Sequence, residues 1–303
     1  MKLATIRYND KVYAGVVRGE DFVPFQSISA EIPNDMLDFI KGYVDYKKIV
    51  DEGVGNASRL CAMKEVEYLS PIPKPPTFRD FMCFEEHFAS SYKQSNTKVP
   101  EVYYEIPIFY FSNPNVFRGS GEIIPAQPHS ENRDFEFEIG IIIGKEGSDI
   151  SEADAGEYIF GFTILNDWSA RDLQYHEMRG LLGPAKGKDY ATSMGPVIVT
   201  KDELDAFLDK NDPKKAKYDL ETKLTLNGKV IRENNTKVIE HSFAKMIERA
   251  SMDVTLYPGE VLGSGTIGGG TIIEYHGDIP FLQKGDTIDM EVQGIGVLKN
   301  IVG

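Results

Sequence analysis

Three carboxylates, Asp134, Glu136 and Glu138, recur at every second position of 133–140 (Arg-Asp-Phe-Glu-Phe-Glu-Ile-Gly). Alternate residues of a β-strand share a face, so these three point one way while Phe135, Phe137 and Ile139 point the other. Same-face neighbours lie about 6.6–7 Å apart. Two flexible side chains at that spacing can converge on one ion, and they repel each other without it. Oxygen donors alone suit a hard divalent cation, Mg²⁺ first and Mn²⁺ or Ca²⁺ next, better than zinc. The competing reading is an edge strand with a solvated acidic face. The unbroken apolar run 139–143 belongs to a covered sheet and counts against plain surface.

Other groups of this kind are scattered along the chain. Asp80 follows a proline-rich stretch, and His87 comes seven residues later, inside 85–93, which can form a helix. That histidine is either a satisfied structural residue or a base beside a metal carboxylate. Asp167 ends the apolar run 160–166, where it either faces a cleft or caps the next turn. The loop 183–192 carries Lys186 and Lys188 between glycines and a proline; it either holds an anionic substrate or is simply exposed. Gly263-Ser-Gly-Thr-Ile-Gly268 matches a dinucleotide fingerprint by letter, but the strand-like 271–275 follows where that motif needs a helix. These glycines can let backbone amides approach a ligand, with Thr266 as a hydroxyl donor, or can serve tight turns alone.

The elements that must position these groups are mostly strands. The runs 2–8, 12–17 and 21–25 read as a small antiparallel sheet. A helix over 34–42 has Asn34 as its candidate N-cap and Gly42 as its stop. Four prolines in 71–76 mark a linker, so 1–70 is a small N-terminal α+β domain and 77–303 a larger one. Within the latter, 106–111 and 160–166 read as strands and 201–217 as an exposed excursion. Asn227-Gly228 turns a hairpin between 218–226 and 229–232. The segment 243–251 reads as a helix, and 261–265, 271–275, 287–292 and 296–302 as strands.

At 303 residues the chain can bury a large core. Its net charge of −14 argues against nucleic acid or an anionic membrane as partners. Two cysteines, Cys61 and Cys83, form no disulfide framework or Cys/His metal pattern. With neither a signal-peptide pattern nor a transmembrane span, the cytoplasm is the expected compartment.

Taken together, Asp80 with His87, Glu136-Phe-Glu138, Asn166-Asp-Trp-Ser-Ala-Arg-Asp-Leu-Gln174, Gly183-Pro-Ala-Lys-Gly-Lys188 and Gly263-Ser-Gly-Thr266 resemble the fumarylacetoacetate hydrolase family over roughly 77–303. The resemblance implies a mainly β, α+β fold: a mixed β-roll of stacked sheets with short helices, commonly a homodimer. It also implies that Asp80, Glu136, Glu138 and Asp167 hold the metal, without Asp134, and that His87 is a general base oriented by Glu274. Arg171, Gln174, Lys188 and Thr266 fall where the family holds the base loop, the developing oxyanion and the substrate carboxylate. The implied reaction is metal-dependent hydrolysis of a carbon–carbon bond in a small anionic 1,3-diketo acid or acylpyruvate. Water would be activated by His87, a contribution of about 10²–10⁴-fold, and the ion would act as a Lewis acid.

Departures from the pattern limit the substrate assignment. Met82 and Asn96 stand where enzymes specific for fumarylacetoacetate carry tyrosine and arginine, and Ser90 stands where acylpyruvase and oxaloacetate decarboxylase relatives carry glutamate. A decarboxylase, or an isomerase or hydratase of 2-hydroxy-dienoic acids, is the alternative at the same metal site. A non-catalytic ligand sensor and a nucleotide-dependent enzyme are rivals of other classes.

Overall fold

The computed structural model describes residues 1–95, 98–212 and 217–303, with the side chains of 91–95 left aside. Its principal strands are β1 (Lys2–Tyr8), β2 (Lys11–Arg18), β3 (Asp21–Pro24), β4 (Phe78–Phe81), β5 (Phe109–Ser112), β6 (Phe137–Ile143), β7 (Ile159–Asp167), β8 (Thr192–Thr200), β9 (Glu221–Leu226), β10 (Lys229–Asn235), β11 (Val261–Gly263), β12 (Thr287–Val292) and β13 (Gly296–Val302). The main helices are α1 (Met36–Lys41), α2 (Tyr43–Gly53), α3 (Glu85–Ser95), α4 (Arg171–Met178) and α5 (Phe243–Ser251). Mixed sheets with short helices are the expected fold class. Among the described residues, no helix is long and apolar enough to cross a membrane.

A 12-stranded sheet runs β3-β2-β1-β8-β7-β6-β11-β4-β5, extended by short strands. Its pairings along this path are antiparallel except β11 with β4. A five-stranded sheet contains β10-β9-β12-β13. Strand β1 pairs with β8 through Lys2–Val199 and Leu3–Ile198, so the N-terminal strands extend the same sheet that carries β6 and β7. The apolar run of β6 follows from cover on both faces: Ile139, Ile141 and Ile143 enter one core cluster and Ile142 the other. On the second face Phe39 of α1 stacks on Phe25, and Tyr43 meets Phe160 edge-on. Helix α5 buries Phe243, Met246, Ile247 and Ala250, and the Ser242 side chain accepts from Lys245 N at its start.

Several local expectations are corrected. Asp35 caps α1 by accepting from Asp38 N. Asn34 instead accepts from Ala14 N and donates to Val12 O, clamping strand β2. The strand expected over 106–111 is confined to Phe109–Ser112, because Pro107 has no N–H for a ladder. Residues 271–275 form no strand; Ile272–Tyr275 is a 3₁₀ turn. The excursion expected over 201–217 begins with the short helix Lys201–Leu204, whose Leu204 is buried, while 213–216 lie outside the described residues. The Asn227-Gly228 turn is as expected, with φ of 50° and 78°.

Ile141 is 0% exposed on β6. Its replacement by alanine is expected to cost about 2–5 kcal/mol, read from denaturant unfolding; a loss below about 1 kcal/mol would show that this strand lies outside the tightly packed core.

Candidate active site

Four neighbouring strands bring Asp80, Glu136, Glu138 and Asp167 together. Asp80 lies on β4 opposite Gly263 of β11, Gly263 lies opposite Gly140 of β6, and β6 pairs with β7, which ends at Asp167. One oxygen from each carboxylate lies within 4.8 Å of every other. A Cβ on Gly263 would sit 2.7 Å from both Asp80 Oδ1 and Glu138 Oε2, so the missing side chain is the room into which the two acids lean. Asp80, Glu138 and Asp167 are at most 2% exposed. Each keeps one oxygen without a hydrogen-bond partner among the described residues: Asp80 Oδ1, Glu138 Oε1 and Asp167 Oδ1.

Burial, then the neighbouring carboxylates, pushes Asp80 and Glu138 well above the usual carboxylate range. Burial also raises Asp167, against the opposing pull of Lys188. Glu136 goes the other way: burial raises it, but the Lys188 and Arg171 charges outweigh that and hold it low. A cluster of buried oxygens with three orphaned lone-pair sites fits a hard divalent cation in donor type and spacing.

Among the described residues, two cations border the cluster. Lys188 Nζ is 2.6 Å from Glu136 Oε2 and 2.8 Å from Asp167 Oδ2, and Arg171 Nη1 is 2.8 Å from Glu136 Oε1. Lys188 gets there because Gly187 packs on Gln174, where a Cβ would meet Gln174 Cβ at 2.6 Å. The loop 183–192 is therefore a built wall at this point. Asp134, expected on the acidic face, does not join the other acids. The chain leaves the ladder at 135–136, and Glu136 N donates to the Asn166 side chain. Asp134 Oδ2 instead accepts from Arg171 Nε at 2.8 Å and from Thr271 Oγ1 at 2.6 Å, while Oδ1 accepts from Ile272 N.

His87 on α3 places Nδ1 2.7 Å from Glu274 Oε1, and the second Glu274 oxygen accepts from Gly269 N at 2.7 Å. With Nδ1 so engaged, Nε2 is the ring nitrogen left for proton transfer. Ser90 bonds back to the His87 carbonyl at 2.7 Å, whereas Asn96 lies outside the described residues. His87, Asp80, Glu136, Lys188, Arg171 and Gln174 line a cavity of about 540 Å³, as do Thr266 and Met82. Thr266 Oγ1 is buried and unpartnered among the described residues.

Tyr110 escaped sequence reasoning. Its hydroxyl lies 2.6 Å from Asp167 Oδ2 and 3.0 Å from Asp80 Oδ2, so its single proton serves Asp167 at the shorter distance. Within Ile-Pro-Ile-Phe-Tyr-Phe111 it reads as one more apolar strand residue; only the pairing of Tyr110 with Asp80 reveals it.

Replacement of Gly263 by alanine is expected to weaken Mg²⁺ binding by about 10–100-fold in a chain that keeps its circular dichroism. Unchanged calorimetric affinity would remove the cluster as the ion site. Because burial and the neighbouring carboxylates raise the proton affinity of Asp80 and Glu138, ion binding competes with protons there. Mg²⁺ affinity should therefore rise as pH climbs above the ordinary carboxylate range, with buffer-dependent heats, and a flat profile would contradict this. For the ion-free chain the sign is opposite. The stability these protonated acids contribute is full below the unfolded carboxyl range near about pH 4 and is lost as pH climbs through the raised folded values.

The family model of the fumarylacetoacetate (FAA) hydrolase C-terminal domain matches residues 77–303. A mitochondrial oxaloacetate tautomerase of Rattus norvegicus is 28% identical over 285 residues, covering 94% of this chain and 84% of that protein. An oxaloacetate tautomerase of Bacillus subtilis is 27% identical over 323 residues, covering 100% of each. Among solved structures, maleylpyruvate hydrolase from Sphingobium sp. SYK-6 in complex with manganese (II) ion and pyruvate has a TM-score of 0.74 at 22% identity, covering 100% of this chain and 98% of that one. At that identity the likeness speaks for the fold alone. With the family model matched over three-quarters of its length, this chain belongs to the fumarylacetoacetate hydrolase family.

Proposed function

We propose that the chain is a divalent-metal-dependent hydrolase that cleaves the carbon–carbon bond between the two carbonyls of a 1,3-diketo acid of the acylpyruvate type. The observation that carries this reading is the 2.7 Å His87–Glu274 pair on the wall of a cavity that also reaches Asp80 and Glu136. An ion held by Asp80, Glu136, Glu138 and Asp167, taken as Mg²⁺ or Mn²⁺, would supply Lewis-acid polarisation of the substrate oxygens. Glu274 fixes the Nδ1–H tautomer of His87, so Nε2 takes a proton from water as its oxygen adds to the acyl carbonyl. Lys188, Gln174 and the Thr266 hydroxyl stand ready to offset the charge that develops on oxygen. The bond between the acyl carbon and the methylene then breaks. The methylene keeps the electron pair and takes a proton back from His87, so that water and substrate yield a carboxylic acid and pyruvate. A cytoplasmic homodimer is the working form on this reading.

A second reading is supported by the tautomerases similar over nearly the whole chain. His87 would then shuttle a proton between the methylene and the enol oxygen of an oxaloacetate-like acid, and no water would be consumed. The two separate in one assay of acylpyruvates, fumarylacetoacetate and oxaloacetate with Mg²⁺ and with chelator. Release of pyruvate and a carboxylic acid from the acylpyruvates, abolished by EDTA, is expected. His87→Ala should lower that rate by about 10²–10⁴-fold while Mg²⁺ affinity persists. Fast interconversion of the oxaloacetate tautomers with no pyruvate released would replace hydrolysis by the second reading.

A further inference from the structure

The cavity changes character with depth. Its floor presents Asp80, Glu136, Lys188, His87 and Thr266, whereas its outer half is walled by Ile108, Phe109, Met178, Leu181 and Leu182. Leu181 and Leu182 are 93% and 92% exposed. Single exposed leucines are ordinary, but an adjacent pair that continues an apolar wall into solvent marks a binding surface. Leu181 adopts φ of 59°, an unusual backbone for a branched residue, and this turn presents both side chains at the mouth.

Charge points the same way. Arg171 and Lys188 are the cationic side chains among the described residues of this wall, and both sit at its acidic floor, away from the apolar outer half. Arg171 is paired with Asp134 and Glu136, and Lys188 with Glu136 and Asp167. Asp80, Asp134, Glu136, Glu138 and Asp167 set against Arg171, Lys188 and one divalent ion leave an excess negative charge even when the ion is bound. One substrate carboxylate can be held at the ion. A second, at the far end of the substrate, meets leucine, isoleucine and methionine and finds no cation among the described residues of that outer wall.

We propose that the site selects 2-oxo acids with a single carboxylate and an apolar tail, and discriminates against diacids such as oxaloacetate, with Ile108, Met178, Leu181 and Leu182 as the specificity-determining residues. This rests on the 2-oxo-acid reading of the floor and is separable from it. Tail methylenes lie against the outer wall, and each one buried there raises affinity by about two- to fourfold.

The test is calorimetry on the Mg²⁺-loaded full chain with 2-oxopentanoate, 2-oxooctanoate and 2-oxooctanedioate, none of which has a second carbonyl to be cleaved, and with pyruvate as the tail-free reference. The expected order is 2-oxooctanoate tightest, at least tenfold above both the diacid of equal length and pyruvate. Leu182→Lys, at a position too exposed to affect folding, should bring the diacid to parity or better by supplying the missing cation. Pyruvate binding with no gain from the tail, or a diacid bound equally well by the unaltered chain, would overturn the selectivity and leave the floor's reading intact. Failure of all four acids, pyruvate included, would overturn both.

Discussion

Asp80, Glu136, Glu138 and Asp167 are brought within 4.8 Å of one another and almost wholly removed from water, and much of the surrounding structure is explained by that imposition. An ionised carboxylate out of water is costly unless paired, and like charges at this distance repel. Lys188 and Arg171 compensate Glu136 and part of Asp167. Asp80 and Glu138 have no such ion pair among the described residues, and burial together with the neighbouring carboxylates pushes both well above the usual carboxylate range. Such a site carries an electrostatic load that a divalent cation would relax, and binding an ion there would be coupled to ordering of the site.

The sheet is what makes this imposition affordable. Strands β5, β4, β11, β6 and β7 lie side by side, and their backbone ladders put Tyr110, Asp80, Gly263 and Gly140 in one row, with Glu138 two residues before Gly140 and Asp167 at the end of β7. The apolar residues alternating with Glu138 on β6, Phe137, Ile139 and Ile141, anchor one core cluster. One strand thus stabilises the fold with one face and loads the site with the other.

The Glu136/Glu138 pair was legible because its alternation runs into the regular strand β6, and so were the Asn-Gly hairpin and the amphipathic α5. What failed did so where tertiary partners captured the backbone. Thr271-Ile-Ile-Glu-Tyr275 has strand composition, yet Ile272 N is taken by Asp134 and the segment coils into a 3₁₀ turn. Glu274 thereby reaches His87 from a turn rather than from a ladder. Asp134 kept the right parity but lost the right neighbours once the ladder broke at 135–136. Tyr110 sits in an aromatic run where nothing local distinguishes a hydroxyl used from a ring merely buried.

That same Asp134 ties the two halves of the site together. Through Arg171 Nε it fixes the guanidinium that holds Glu136, and through Thr271 Oγ1 and Ile272 N it fixes the turn that carries Glu274. Arg171 closes the loop by donating to Thr271 Oγ1 at 2.7 Å and to Gln174 Oε1 at 2.9 Å. Buried charges in such a network are stabilising only while every partner is present. A displacement of Glu136 is therefore felt, through Arg171 and Asp134, at the carboxylate that orients His87. The acid cluster and the His87–Glu274 pair are joined through one buried network, which gives an aspartate outside the four converging acids a positioning part in the site.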